Sequence, residues 1–384
     1  MYLRSTNSEV NELSYSLNFA TLITMQVRYF LKKFDWALVA IPAILIGLSI
    51  ATFYHLGTSS AHIIQRQILF FTIGLIAMAI VSLFDYRIFK NYSTASVAIY
   101  LFTILLLLIA LGAAKIRGVN SWLYIGNYGF EPSELANLAV IILLAKYFSQ
   151  KHVSIYDIRH IVASGIYALV PAFLTFIQPD LGGAAIIIFI WATMLLASGI
   201  KRKHFMVIVA IGLIVMSLGW FLFLKPYQKT RITTFLNPYL DPRGEGYSII
   251  QAKTTVGSGQ LWGSMISRTT SAYPVLVPEP YTDFTFSVFA QKFGFWGVIL
   301  VYGLLLALVY RISVIANSAN NNFAKLFSLG FCILIVAHVL VNSGMNIGLL
   351  PITGLPFSFL SYGGSHLITL MIGLGIIESV RLHG

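Results

Sequence analysis

The feature that most constrains this chain is a succession of apolar stretches, each about as long as a bilayer is thick. They fall at residues 35–54, 67–86, 94–113, 132–149, 160–178, 181–199, 204–224, 284–309, 324–346 and 364–381. A helix crossing the hydrocarbon layer needs about 20 predominantly apolar residues, so the pattern predicts an all-α integral membrane protein with ten transmembrane helices. Composition agrees: 58% of the residues are hydrophobic and 10% charged, against about 45–50% and about 25% in soluble domains. Mean hydropathy is +0.82. A large soluble domain is excluded. Cys332 is the only cysteine, which excludes an intrachain disulfide, a CxxC redox pair and a cysteine zinc site.

The net charge of +12 reads as topology rather than as a nucleic-acid footprint, because the basic residues alternate between loops. With the N-terminus inside, the inner segments carry Arg4, Arg28, Lys32 and Lys33, then Arg87 and Lys90, Lys151 and Arg159, Lys201 to Lys203, and finally Arg311 and Arg381. The short outer loops hold only Arg66, Lys115 and Arg117. Both termini are therefore expected in the cytoplasm. No cleavable signal peptide is expected, since the first apolar run follows basic residues and is long enough to span. Residues 1–33 form a cytoplasmic segment in which 14–33 reads as an interfacial helix, and 34–384 the membrane domain. Residues 225–283, between the seventh and eighth spans, are a long extracytoplasmic loop; loops of that length translocate whatever their charge.

Seven of the thirteen carboxylates, Glu131, Glu134, Asp180, Asp241, Glu245, Glu279 and Asp283, fall at this outer side. Acids at span ends are expensive to bury and are candidates for function. Asp283 closes the large loop directly before an apolar helix, where it could do chemistry at the water boundary or serve as an N-cap. Glu134 follows Pro132-Ser133 in the first turn of the fourth span, a position a helix dipole favours in any case. Asp180, in the tight Gln178-Pro179-Asp180 hairpin, reads as a cap for the sixth helix or as a substrate-binding acid. Lys229, Arg231 and Arg243, with Lys115 and Arg117 on the neighbouring loop, could hold a diphosphate. Gly257-Ser258-Gly259 and Gly363-Gly364 lack the preceding strand a nucleotide loop requires and read as turns or close-packing sites. His338 and His366 have no metal-binding neighbours in sequence and read as hydrogen-bonded packing.

Six segments in order, Phe130 to Ala136, Gln178-Pro179-Asp180-Leu181-Gly182, Arg231 to Pro238, Gly257-Ser258-Gly259, Pro278-Glu279 followed by Thr282-Asp283-Phe284, and Gly354-Leu355-Pro356 leading to Ser361-Tyr362-Gly363-Gly364-Ser365, resemble the SEDS family of peptidoglycan glycosyltransferases. The resemblance covers roughly residues 35–382, and Phe235-Leu236-Asn237-Pro238 is similar to the elongation-type RodA branch more than to the division-type FtsW branch. It implies polymerisation of lipid II into glycan strands on the outer face of the bacterial cytoplasmic membrane, with Asp283 essential and Glu134 in a central cavity. It also implies a class B penicillin-binding protein as partner beside the membrane lipids. No organic cofactor is expected; a divalent cation, Mg or Mn, is a candidate helper with unassigned ligands.

Two positions depart from that family. Asn137 stands where a Lys is usual, and Gln291-Lys292 where Glu-Glu is usual. Lys292 is a candidate replacement for the missing charge, the alternative being a snorkelling side chain. Two other functions share a lipid-diphosphate ligand: a flippase, which would depend on charges near the bilayer midplane and alternating access, and a non-catalytic synthase scaffold. Acids gathered at the outer face favour extracytoplasmic chemistry. The orientation predicts that cysteines placed in the 225–283 loop, in a Cys332→Ser background, react with an impermeant thiol reagent in spheroplasts while one at Lys203 stays unlabelled. Labelling at Lys203 would reverse the topology.

Overall fold

The computed structural model describes residues 33–54, 56–57, 60–113, 121–126, 128–151, 158–222, 226–241, 244–266 and 277–384. The interfacial helix expected at 14–33 therefore lies almost wholly outside the described residues. Leu38–Gly384 forms one unit. Each expected span overlaps one helix: α1 Ala37–Tyr54, α2 Ala61–Leu83, α4 Ser93–Leu111, α5 Pro132–Lys151, α6 Ile158–Ile177, α7 Leu181–Ala197, α8 Arg202–Leu222, α12 Thr285–Ser318, α13 Asn322–Asn346 and α14 Gly364–His383. A short α3, Arg87–Asn91, links α2 to α4. Eight of these helices are long and apolar enough to cross a membrane; α7 is a shorter apolar helix, and the more polar α5 is not among the eight.

Two elements depart from the all-α expectation. Before α5, β1 Leu123–Ile125 pairs antiparallel with β2 Tyr128–Phe130, with Leu123 opposite Phe130 and Ile125 opposite Tyr128. The sequence supplies aromatic and branched strand residues around Gly126, whose φ of +61° suits a tight turn better than any other residue could. The hairpin is short because Pro132 has no N–H to donate and starts a helix instead.

The 225–283 loop is helical in three places, α9 Pro226–Leu236, α10 Glu245–Ser258 and α11 Gly263–Ile266. It is tied to the helices beneath it in two ways. Ile249 and Ala252, three apart on one face of α10, are buried with Val277, Phe284, Met345 and Ile352. At Gly294, moreover, α12 is broken by a non-helical residue (φ 66°, ψ −167°). The N–H groups of Phe295 and Trp296, which a regular helix would bond internally, donate instead to the carbonyls of Gln260 and Leu261 at 2.9 and 3.3 Å. A Cβ on Gly294 would stand 2.3 Å from the Gly263 nitrogen, and one on Gly259 would stand 2.0 Å from the Ala290 carbonyl oxygen. Backbone lies on backbone here, and the break in α12 leaves neither N–H unsatisfied.

Between apolar helices in lipid, close packing rather than hydrophobicity selects neighbours. On α13, Phe323, Phe327 and Phe331 stack one turn apart with centroids 6.3 Å from one another. Phe331 seats where α14 carries Gly373, whose missing Cβ would lie 2.1 Å from the ring. Phe286 of α12 stacks on Phe357 at 5.7 Å, which fixes the connection between α13 and α14 against the start of α12.

Candidate functional site

The N-terminal ends of α5, α7 and α12 bring four of the seven outer-side acids, Glu131, Glu134, Asp180 and Asp283, within electrostatic reach of one another. Asp180 is the N-cap of α7, its Oδ1 accepting from the Gly183 N–H at 2.8 Å. Burial pushes its carboxyl up to about 6, with Glu134 adding to the rise and Arg231 opposing it. Glu131, just before α5, is raised well above its ordinary range by burial and then by Asp180, Glu134 and Asp283. Ser133 donates to its Oε1 at 3.1 Å. Four carboxylates thus feel one another across one region, and Glu131, which sequence reasoning counted but gave no role, is part of it.

Asp283 is held through its main chain. The amide nitrogens of Asn342 and Asn346, one turn apart on α13, both donate to its carbonyl at 3.0 Å. Asn342 also donates to the Leu355 carbonyl at 2.7 Å, while the Asn346 oxygen accepts from Ser287 Oγ at 2.5 Å and from its N–H at 3.2 Å. Ser361 Oγ donates to the Thr282 carbonyl at 2.6 Å, and the Tyr362 N–H to Tyr281 at 2.7 Å. The N-cap residue of α12 is Phe284, without a side-chain cap bond. Asp283 precedes that position, so its carboxylate, partly exposed beside Gly354, is not the N-cap. Glu279 holds a left-handed φ of +49° in the same turn, a strain seldom retained without a function.

Glu134 is buried, with 3% of its surface exposed. His366 Nδ1 lies 2.9 Å from its Oε2 and His338 Nε2 lies 3.9 Å away. The two imidazoles face each other at 4.3 Å. Both histidines are buried and hydrogen-bonded, as the sequence suggested, but they are not without metal-binding neighbours: with Glu134 they form a cluster whose ligand atoms all lie within 4.8 Å. The three residues sit far apart in sequence on α5, α13 and α14, and only helix packing makes them neighbours. Among the described residues, the ion pairs of Glu134 are to these histidines and not to Lys292.

Arg231 and Lys229 lie on α9, two residues apart and so on different faces; Arg231 is the one that acts on Asp180. Lys229 is partly exposed. Lys115, Arg117 and Arg243 lie outside the described residues.

A family model described as "Cell cycle protein", that of FtsW, RodA and SpoVE, matches residues 30–384. The chain belongs to the FtsW/RodA/SpoVE family. It is 34% identical to stage V sporulation protein E of Bacillus subtilis over 323 residues, covering 82% of this chain and 86% of that protein. It is 32% identical to the peptidoglycan glycosyltransferase MrdB of Escherichia coli K12, covering 83% and 85%. A solved chain from work on the coordination of polymerization and crosslinking by a peptidoglycan synthase complex superposes with a TM-score of 0.79 at 28% identity, over 91% of this chain and 98% of that one. The rod shape determining protein RodA of Thermus thermophilus gives 0.68 at 25% identity, over 91% and 97%.

Because Asp180 keeps its proton to higher pH folded than unfolded, it contributes stability that is complete below its unfolded value near about 4 and is lost as pH rises through about 6. Asp180→Asn can still cap α7 and cannot ionise. Its melting temperature in detergent should fall less than that of the native chain between about pH 4 and about pH 7; an equal or steeper fall would contradict the raised carboxyl of Asp180.

Proposed function

We propose that this family member is a peptidoglycan glycosyltransferase that polymerises lipid II at the outer face of the bacterial cytoplasmic membrane, with Asp283 as its general base. The observation that carries the catalytic assignment is the support of Asp283: two buried asparagines fix its main chain, while its carboxylate stays partly exposed and within electrostatic reach of Glu131. A group held this way can meet an acceptor in one geometry, which is what proximity catalysis requires.

In this reading the 4-hydroxyl of the acceptor sugar attacks the anomeric carbon of the donor as Asp283 takes its proton. The bond from that carbon to the diphosphate oxygen breaks, and undecaprenyl diphosphate leaves with the electron pair. Arg231 and Lys229, with Lys115, Arg117 and Arg243, are the cations we assign to the leaving group's growing charge. We place Glu134 and Asp180 with the substrate-binding groups, and Asp180 sets the start of α7. Glu131 and Asp180, whose carboxyls are raised because neighbouring acids and burial disfavour their charge, would on ionising present oxygen donors that suit Mg or Mn. Such an ion would add positive charge at the diphosphate.

The same reading makes all ten helices spans, with 225–283 outside, 1–33 a cytoplasmic segment, 34–384 the membrane domain and both termini cytoplasmic. The solved peptidoglycan synthase complex supports a crosslinking partner of the class B penicillin-binding type. The Phe235-Leu236-Asn237-Pro238 form supports service in elongation and cell shape.

Asp283→Asn preserves size and should leave expression, membrane insertion and lipid II binding intact, while polymerisation by the purified protein falls about 10²–10⁴-fold or more. Near-native glycan synthesis by folded Asp283→Asn would remove Asp283 from the chemistry.

A further inference from the structure

We propose that Glu134, His338 and His366 form a binding site for one divalent transition-metal ion of the zinc class. His338 Nδ1 lies 3.2 Å from the Pro356 carbonyl. A carbonyl only accepts, so that nitrogen carries the proton and Nε2 is left with its lone pair. Nε2 is wholly buried, has no hydrogen-bond partner among the described residues, and lies 3.9 Å from the Glu134 carboxylate. Two electron-rich atoms facing each other without a proton between them call for a cation.

The other ligands are arranged alike. His366 presents Nδ1 to the same carboxylate oxygen at 2.9 Å, and its Nε2 stands 3.3 Å from Ser358 Oγ. Each imidazole therefore has one nitrogen turned to Glu134 and the other tied to the Pro356–Ser358 stretch, the outer-shell support that metal-bound histidines usually have. Ligands about 2.0–2.1 Å from a tetrahedral zinc stand about 3.3 Å apart, so small side-chain shifts would seat the ion. Two nitrogens and one carboxylate oxygen favour zinc-class metals over magnesium. A second orphan points the same way: Asn137 lies one turn after Glu134 on α5 and acts on its carboxylate, and its buried Oδ1 has no partner among the described residues. A metal here would restore positive charge beside Glu134 where Asn137 holds none.

The test is metal content. The detergent-purified chain, made without a polyhistidine tag and stripped with chelator, is given Zn²⁺ alone, desalted and analysed by mass spectrometry. About one zinc per chain is expected, retained in His62→Ala and reduced to background in His338→Ala and Glu134→Gln. His338→Gln, checked for monodispersity, guards against a folding defect. Co²⁺ in place of zinc should give the visible absorption of a tetrahedral site, and that absorption should vanish in His366→Ala. No stoichiometric zinc in the native chain, or zinc retained by folded His338→Gln, overturns the site.

Discussion

The carbonyl oxygen of Asp283, filled by two asparagine amides, is the interaction on which the candidate site depends. A carbonyl has two lone pairs, and leaving either unsatisfied away from water is expensive. Asn342 and Asn346 meet both needs because one helical turn places them on the same face of α13. Their remaining bonds, to Leu355 and Ser287, join α12, α13 and the Gly354–Tyr362 connection into one support. Removing either amide would loosen three elements at once, so the asparagines are best understood as the frame of the site.

A second dependence lies at the break in α12. The 259–263 segment gives its carbonyls to the N–H groups freed at Gly294, so the large loop is stitched into the helix rather than draped over it. The buried cluster around Ile249 and Phe284 adds a second attachment beside Asp283. Arg231, on α9 of the same loop, thereby comes within electrostatic reach of Asp180.

The helices were legible because lipid imposes a length and an apolar composition on each, and every expected run overlaps one. Their ends were less so: α2 begins at Ala61 and α12 runs on to Ser318, since a helix can continue past the apolar stretch once its groups reach water or protein. The Asp180 cap followed from its place after a proline and before two glycines. The helices of the loop were hidden by weak periodicity and anchored by contacts distant in sequence. The Glu134–His338–His366 cluster gave no local signal, because its members come from three helices.

The central claim is that this chain makes glycan, and the most direct measurement is gel electrophoresis of the products formed from lipid II by the purified protein, with and without a class B penicillin-binding protein. The account predicts a ladder of polymer with release of undecaprenyl diphosphate. No polymer under either condition, together with movement of lipid II across liposomes containing the chain, would contradict it and make the protein a transporter.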